Sequence, residues 1–137
     1  MIGIVLISHG NMANGMLESA HMFFGSDIPQ VATICFTLED SPESFDSQLK
    51  SAVQEVDSGN GVIIMADLFG GTPCNRAAYC SADNIIVLSG MNLPMLMELL
   101  GKRLSADSIS DIDISGLVDV SRNGIRCVNE FMKNRHS

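Results

Sequence analysis

The chain has 137 residues, 46% hydrophobic and 18% charged, which marks a globular protein with enough length to bury one core. A formal net charge of −8 and only 8 Lys and Arg exclude nucleic acid as a partner, because neutralising phosphates needs clustered cations. No apolar run approaches the roughly 20 residues of a membrane span, and the first residues lack the basic leader and cleavage site of a secretory signal.

The chain opens with Ile2-Gly3-Ile4-Val5-Leu6-Ile7-Ser8-His9-Gly10, a short apolar run ending in Ser-His-Gly. Such a run predicts a strand buried on both faces, with His9 just past its carboxyl end. Residues 11–25 carry apolar side chains at Met12, Met16, Leu17, Ala20, Phe23 and Phe24, a helical spacing, and Gly25 supplies the stop. Val31-Ala32-Thr33-Ile34-Cys35-Phe36 predicts a second strand. Ser41-Pro42-Glu43 has the form of a helix start, with a capping side chain, a proline and an acid in the first turn. Leu49, Ala52, Val53 and Val56 continue its apolar face. Residues 57–61 break that helix, and Val62-Ile63-Ile64-Met65-Ala66 is a third strand. Gly70-Gly71-Thr72-Pro73 predicts a turn and another helix start, with Thr72 as the cap and the helix running from 73 to about 82. Residues 85–88 form a fourth strand, and Asn92-Leu93-Pro94 leads into a helix ending near Gly101.

Strand and helix alternate with short connections. The predicted fold is therefore α/β: one domain over residues 1–137, with a doubly wound, four-stranded parallel central sheet flanked by helices. Beyond residue 110, Ile112, Leu117, Val118 and Val120 have the spacing of an amphipathic helix, weakened by Gly116. Residues 125–131 fit helix and strand equally by periodicity.

In such a sheet the carboxyl ends of the first and third strands lie together on the edge where ligands collect. His9 and Asp67 each follow one of these strands, so they should converge. A carboxylate that accepts from one imidazole nitrogen fixes the tautomer and leaves the other lone pair free to attack. A lone exposed histidine is ordinarily a solvated side chain; a His and an Asp at one strand edge, both beside glycine-rich turns, read as a nucleophile and its orienting partner. Gly10, Gly70 and Gly71 allow close approach of backbone to a ligand, and the helix start at Thr72 presents unpaired amides to an anion. No GxxxxGK[ST] is present, so this is no nucleotide loop. A cradle without lysine or acidic metal ligands suits a transient phosphoryl group on a side chain, with no cofactor and no metal.

The remaining candidates carry less chemistry. Four cysteines (Cys35, Cys74, Cys80, Cys127) without a CxxC pair read as reduced thiols of a cytoplasmic protein. His21 and His136 read as solvent-facing. Leu68, Phe69 and Met91 are candidates for an apolar collar where a protein partner docks. Two other readings use the same residues: a hydrolase with Cys74 as nucleophile in the first turn of a helix and His9 as base, and a regulatory module binding a small phosphorylated metabolite at the glycine-rich cradle.

Three motifs occur in order: Ile7-Ser8-His9-Gly10, Asp67-Leu68-Phe69-Gly70-Gly71-Thr72-Pro73-Cys74-Asn75 and Gly90-Met91-Asn92-Leu93-Pro94-Met95-Leu96. Through them the chain resembles, over nearly its whole length, the enzyme IIA domain of mannose-family (mannose/fructose/sorbose) sugar phosphotransferase systems. The resemblance implies that His9 is phosphorylated by the phosphocarrier protein HPr and passes the group to a IIB partner. It implies that Asp67 bonds the imidazole and that the loop around Gly71 and Thr72 meets the phosphoryl group. It also implies a homodimer in which a C-terminal strand, here residues 124–131, is exchanged and joins the partner's sheet antiparallel as a fifth strand. Some relatives continue through a linker into a IIB domain; this chain stops, so a separate IIB polypeptide is expected. Sugar selection would then belong to the membrane subunits.

Overall fold

The N-terminal run takes the middle of the sheet because its residues are apolar on both faces. In the computed structural model, which describes residues 1–136, β1 (Gly3–His9) has Ile4, Val5, Leu6 and Ile7 fully buried. It pairs with β2 (Val31–Phe36) on one side and β3 (Val62–Ala66) on the other, and β4 (Ile85–Leu88) pairs outside β3. The order is β2-β1-β3-β4, all parallel. The side chain of His136, expected to face solvent, lies outside the described residues.

Alternation along the strands divides the core in two. Ile4, Leu6, Ile63 and Met65 pack against α1 (Met12–Phe24), α4 (Leu93–Lys102) and α5 (Ile114–Asn123). Val5, Ile7, Val62 and Ile64 pack against α2 (Pro42–Val56) and α3 (Thr72–Ala78) on the other face. Each such side chain contributes roughly 1.5–3 kcal/mol on burial, so a one-residue slip, which exchanges the faces, is strongly disfavoured. The resulting register sets Ile7 opposite Ala66 and brings the ends of β1 and β3 level.

Helix starts follow the expected chemistry at two places. Ser41 accepts from the Ser44 amide at 3.1 Å, ahead of Pro42, and Asn92 accepts from the Met95 amide at 2.9 Å. α5 forms despite Gly116 because Asp113 accepts from that residue's amide at 3.1 Å. In α1, Met16, Leu17, Ala20 and Phe24 face the core, whereas Met12 and Phe23 are exposed and Ala13 takes a buried place.

Three expectations are corrected. Thr72 does not cap α3: Gly71 occupies the extended cap position, and Thr72 is the first helical residue. α3 ends at Ala78 rather than near 82, since the amides of Tyr79, Cys80 and Ser81 bond only three residues back and wind the chain too tightly to continue. In the single chain, residues 124–131 do not form a strand. Val128–His136 is a helix, α6, and Gly124 terminates α5. In the single chain this helix supplies its own backbone bonds, the Phe131 amide donating to the Cys127 carbonyl at 3.2 Å.

At the amino edge of the sheet Arg103 is 3% exposed. It donates to the carbonyls of Ile2 at 3.0 Å and Pro29 at 2.6 Å, bracing the starts of β1 and β2. Burial pulls its guanidinium below the ordinary arginine pKa. Replacing Arg103 with Ala leaves those carbonyls without a donor and should cost roughly 2–4 kcal/mol in urea unfolding. A loss under about 0.5 kcal/mol, the range of an ordinary surface change, would show the brace to be idle.

Candidate functional site

His9 is the last residue of β1, one place earlier than expected, and Asp67 is the first residue past β3. The Asp67 amide donates to the Ile7 carbonyl at 3.2 Å, extending the ladder by one residue. Its carboxylate then turns onto His9. Oδ2 accepts from the His9 backbone amide at 2.8 Å and lies 2.9 Å from the ring Nδ1. Among the described residues both donors to this carboxylate belong to His9, and its Oδ1 is buried without a partner.

This geometry assigns the imidazole proton. The Asp67 side chain is 10% exposed and can only accept when ionised, so in the neutral imidazole Nδ1 carries the hydrogen and Nε2 the lone pair. The His9 side chain is 46% exposed. The ring thus stands half-exposed at the carboxyl end of the sheet.

Neighbours fix the ring plane. Phe36, at the end of β2, meets it edge-on with centroids 6.2 Å apart, and Phe45 of α2 meets Phe36 in the same way at 5.6 Å. A Cβ built on Gly71 would lie 2.5 Å from Cε1 of His9 and 3.2 Å from Nε2. Only glycine allows that approach. Gly70, at φ +85°, turns the loop, and Nδ2 of Asn75 donates to its carbonyl at 3.0 Å. Gly10, at φ +60°, turns the chain away after His9, its amide donating to the Phe36 carbonyl at 2.8 Å.

Ser8 is a residue that sequence reasoning missed. It is fully buried; its hydroxyl donates to the Gly10 carbonyl at 3.0 Å and accepts from the Ala13 amide at 2.8 Å. The corner that carries His9 is thereby tied to the start of α1. The available signal was alternation: with His9 on one face of β1, Ser8 points to the other, where a buried hydroxyl needs partners.

The structure therefore brings His9, Asp67 and Gly71 together, with Gly10 and Gly70 shaping the turns on either side. Thr72 is half-buried at the first turn of α3, where backbone amides have no intrahelical partner. Leu68 and Phe69 follow Asp67 and are 56% and 83% exposed. Met91 is not part of that apolar collar. It is buried in the core, and its amide donates to the Ala66 carbonyl at 2.9 Å, so it supports the strand end that carries Asp67. Cys74 is also buried, which leaves the hydrolase reading without an accessible thiol. His21, expected in solvent, is half-buried on α1. Among the described residues no group of three or more metal-ligating side chains occurs.

Compared with known proteins, the chain matches the profile of a family described as "PTS system fructose IIA component" over residues 3–114. It is 29% identical over 129 residues to the PTS system mannose-specific EIIAB component of Escherichia coli (strain K12), a match covering 93% of this chain and 39% of that protein. The chain thus spans well under half the length of that relative. It is 30% identical to the PTS system fructose-specific EIIA component of Bacillus subtilis (strain 168), with 75% of this chain and 71% of that protein covered. The crystal structure of phosphotransferase system component EIIA from Streptococcus agalactiae superposes with a TM-score of 0.85 at 30% identity, covering 95% of this chain and 99% of that one.

The tautomer can be read without assuming any reaction. In nitrogen-15 NMR, His9 of the unmodified protein should show the Nδ1–H form, and Asp67→Ala should release it to a mixture richer in Nε2–H. Gly71→Ala should do the same, because the added methyl displaces the ring. An unchanged tautomer in both variants would contradict the assignment.

Proposed function

Because the chain belongs to the fructose and mannose IIA family of sugar phosphotransferase systems, we propose that it is a phosphocarrier whose His9 accepts a phosphoryl group from phospho-HPr. It then hands the group to a IIB partner for sugar uptake and phosphorylation. The observation that carries this reading is the His9–Asp67 pair: a half-exposed imidazole with Nδ1 engaged at 2.9 Å and Nε2 free.

The step balances simply. The Nε2 lone pair forms the new N–P bond as the bond to the donor breaks, and that bond's electron pair leaves with the donor. The hydrogen on Nδ1 stays in place, and the positive charge that develops on the phosphorylated ring faces the Asp67 carboxylate. Phosphoryl transfer through a loose transition state needs positioning and charge stabilisation above all. Gly10, Gly70, Gly71 and Thr72 are assigned to the phosphoryl group. Gly71 already lies against Nε2, and the amides at the start of α3 favour an anion. On release to IIB, a nucleophile of that partner forms the new bond to phosphorus as the Nε2–P bond breaks, and that bond's electron pair returns to Nε2.

Leu68 and Phe69 are assigned to partner docking, since two adjacent exposed apolar side chains follow Asp67 directly. The reading includes a homodimer acting in the cytoplasm. Support for a second copy comes from Ile125, Val128, Phe131 and Met132, all exposed on the tail of the single chain. Among the described residues no helix is long and apolar enough to cross a membrane.

Phospho-HPr should label the unmodified protein with one acid-labile, alkali-stable phosphate, and His9→Gln should take up none. Labelling of that variant would remove His9 as the acceptor. Phe69→Asp should slow phosphorylation by about tenfold or more, the scale of an interface anchor, with the unfolding midpoint unchanged. An unaltered rate would dismiss the docking role.

A further inference from the structure

Both helices that fix the His9 ring also border a second cleft, away from the phosphoryl loop. α2 reaches the ring through Phe45 and Phe36, and α3 reaches it through its cap residue Gly71. Between the two helices lies a cleft of about 490 Å³, within the range of small-molecule sites. Val53, Cys80 and Ile85 line it and pack against the core beneath. Arg76 and Asp46 close across it in a two-pronged ion pair, with Nε donating to Oδ1 at 2.9 Å.

Three features of this cleft go beyond packing. Tyr79 is exposed, and the Arg76 guanidinium lies 5.5 Å over its ring. Lys50 projects at the same cleft and forms no ion pair among the described residues. The lining therefore holds two cations against one carboxylate on a chain whose net charge is −8. Burial, and secondarily the Asp46 charge, push the Cys80 thiol above its ordinary pKa.

We propose that the cleft between α2 and α3 binds a small molecule with a planar apolar body and one phosphate or carboxylate group. The body lies against Val53 and Tyr79, and the anion faces Lys50 and Arg76. Such an anion competes with Asp46 for Arg76 and loosens the tie between α2, which reaches His9 through Phe45 and Phe36, and α3, whose cap residue Gly71 lies against the ring. Occupancy is thereby felt at the histidine ring. Its consequence for phosphoryl transfer rests on the phosphocarrier reading; the binding does not.

The probe is 1-naphthyl phosphate, titrated by fluorescence and by NMR into the full chain, with 1-naphthoate and uncharged 1-naphthol in parallel. One saturable site with Kd below about 1 mM is expected, equal in the unmodified protein and in His9→Gln. Shifts should centre on Tyr79 and Cys80 and extend to the His9 ring. The naphthoate arm shows whether a carboxylate serves as well as a phosphate. Lys50→Glu, a change at an exposed position, and Val53→Trp, which fills the cleft, should each weaken binding at least tenfold, as should loss of the charge in 1-naphthol. Absence of saturable binding, shifts centred on the Gly70–Gly71 loop, or affinity indifferent to Lys50→Glu and to probe charge would overturn the proposal. Binding that follows the expected pattern in a protein that phospho-HPr cannot label would keep the cleft and reject the carrier reading.

Discussion

The 2.9 Å contact between Nδ1 of His9 and Asp67 joins positions 58 residues apart, and it exists only because β1 and β3 run side by side with level ends. A bond to a charged partner contributes about 1.5–3 kcal/mol, far too little to set the register of two strands. Ile4, Val5, Leu6 and Ile7 against Ile63, Ile64 and Met65 do that, because every one of them is fully buried. The core therefore positions the site. The carboxylate and imidazole meet as a consequence of apolar alternation several residues back, and the supporting hydrogen bonds of Ser8 and Met91 hold the last step of each strand.

That hierarchy explains how much was legible in the sequence. β-branched runs and helix-start residues are local signals, and they located four strands and the pairing of His9 with Asp67. Gly70 and Gly71 were legible as a close-approach turn, although the reason, contact with the histidine ring itself, needed coordinates. Local signals failed where a distant group decides the outcome. Arg103, just past α4, has no local signal of burial, but carbonyls of residues 2 and 29 draw it inside. Met91 reads as an exposed edge residue, yet its amide turns back to Ala66 and carries it into the core. Thr72 reads as a cap, but an extended glycine before it takes that place. For residues 124–131, periodicity allowed two answers, and in the single chain the segment from Val128 onward takes the helix, which supplies its own backbone bonds.

A half-exposed histidine at the carboxyl end of the sheet is open to a partner as large as a protein. Two features of different character border α3. One is a tight glycine turn against His9; the other is an apolar groove crossed by the Asp46–Arg76 pair.

The central claim is that Asp67 holds Nδ1 and leaves Nε2 as the atom that takes phosphate. Nitrogen-15 and phosphorus-31 NMR of the protein phosphorylated by phospho-HPr tests this most directly. The account predicts a single phosphohistidine at His9 with phosphorus coupled to Nε2 and hydrogen retained on Nδ1. Phosphate on Nδ1, or on any residue other than His9, would contradict it.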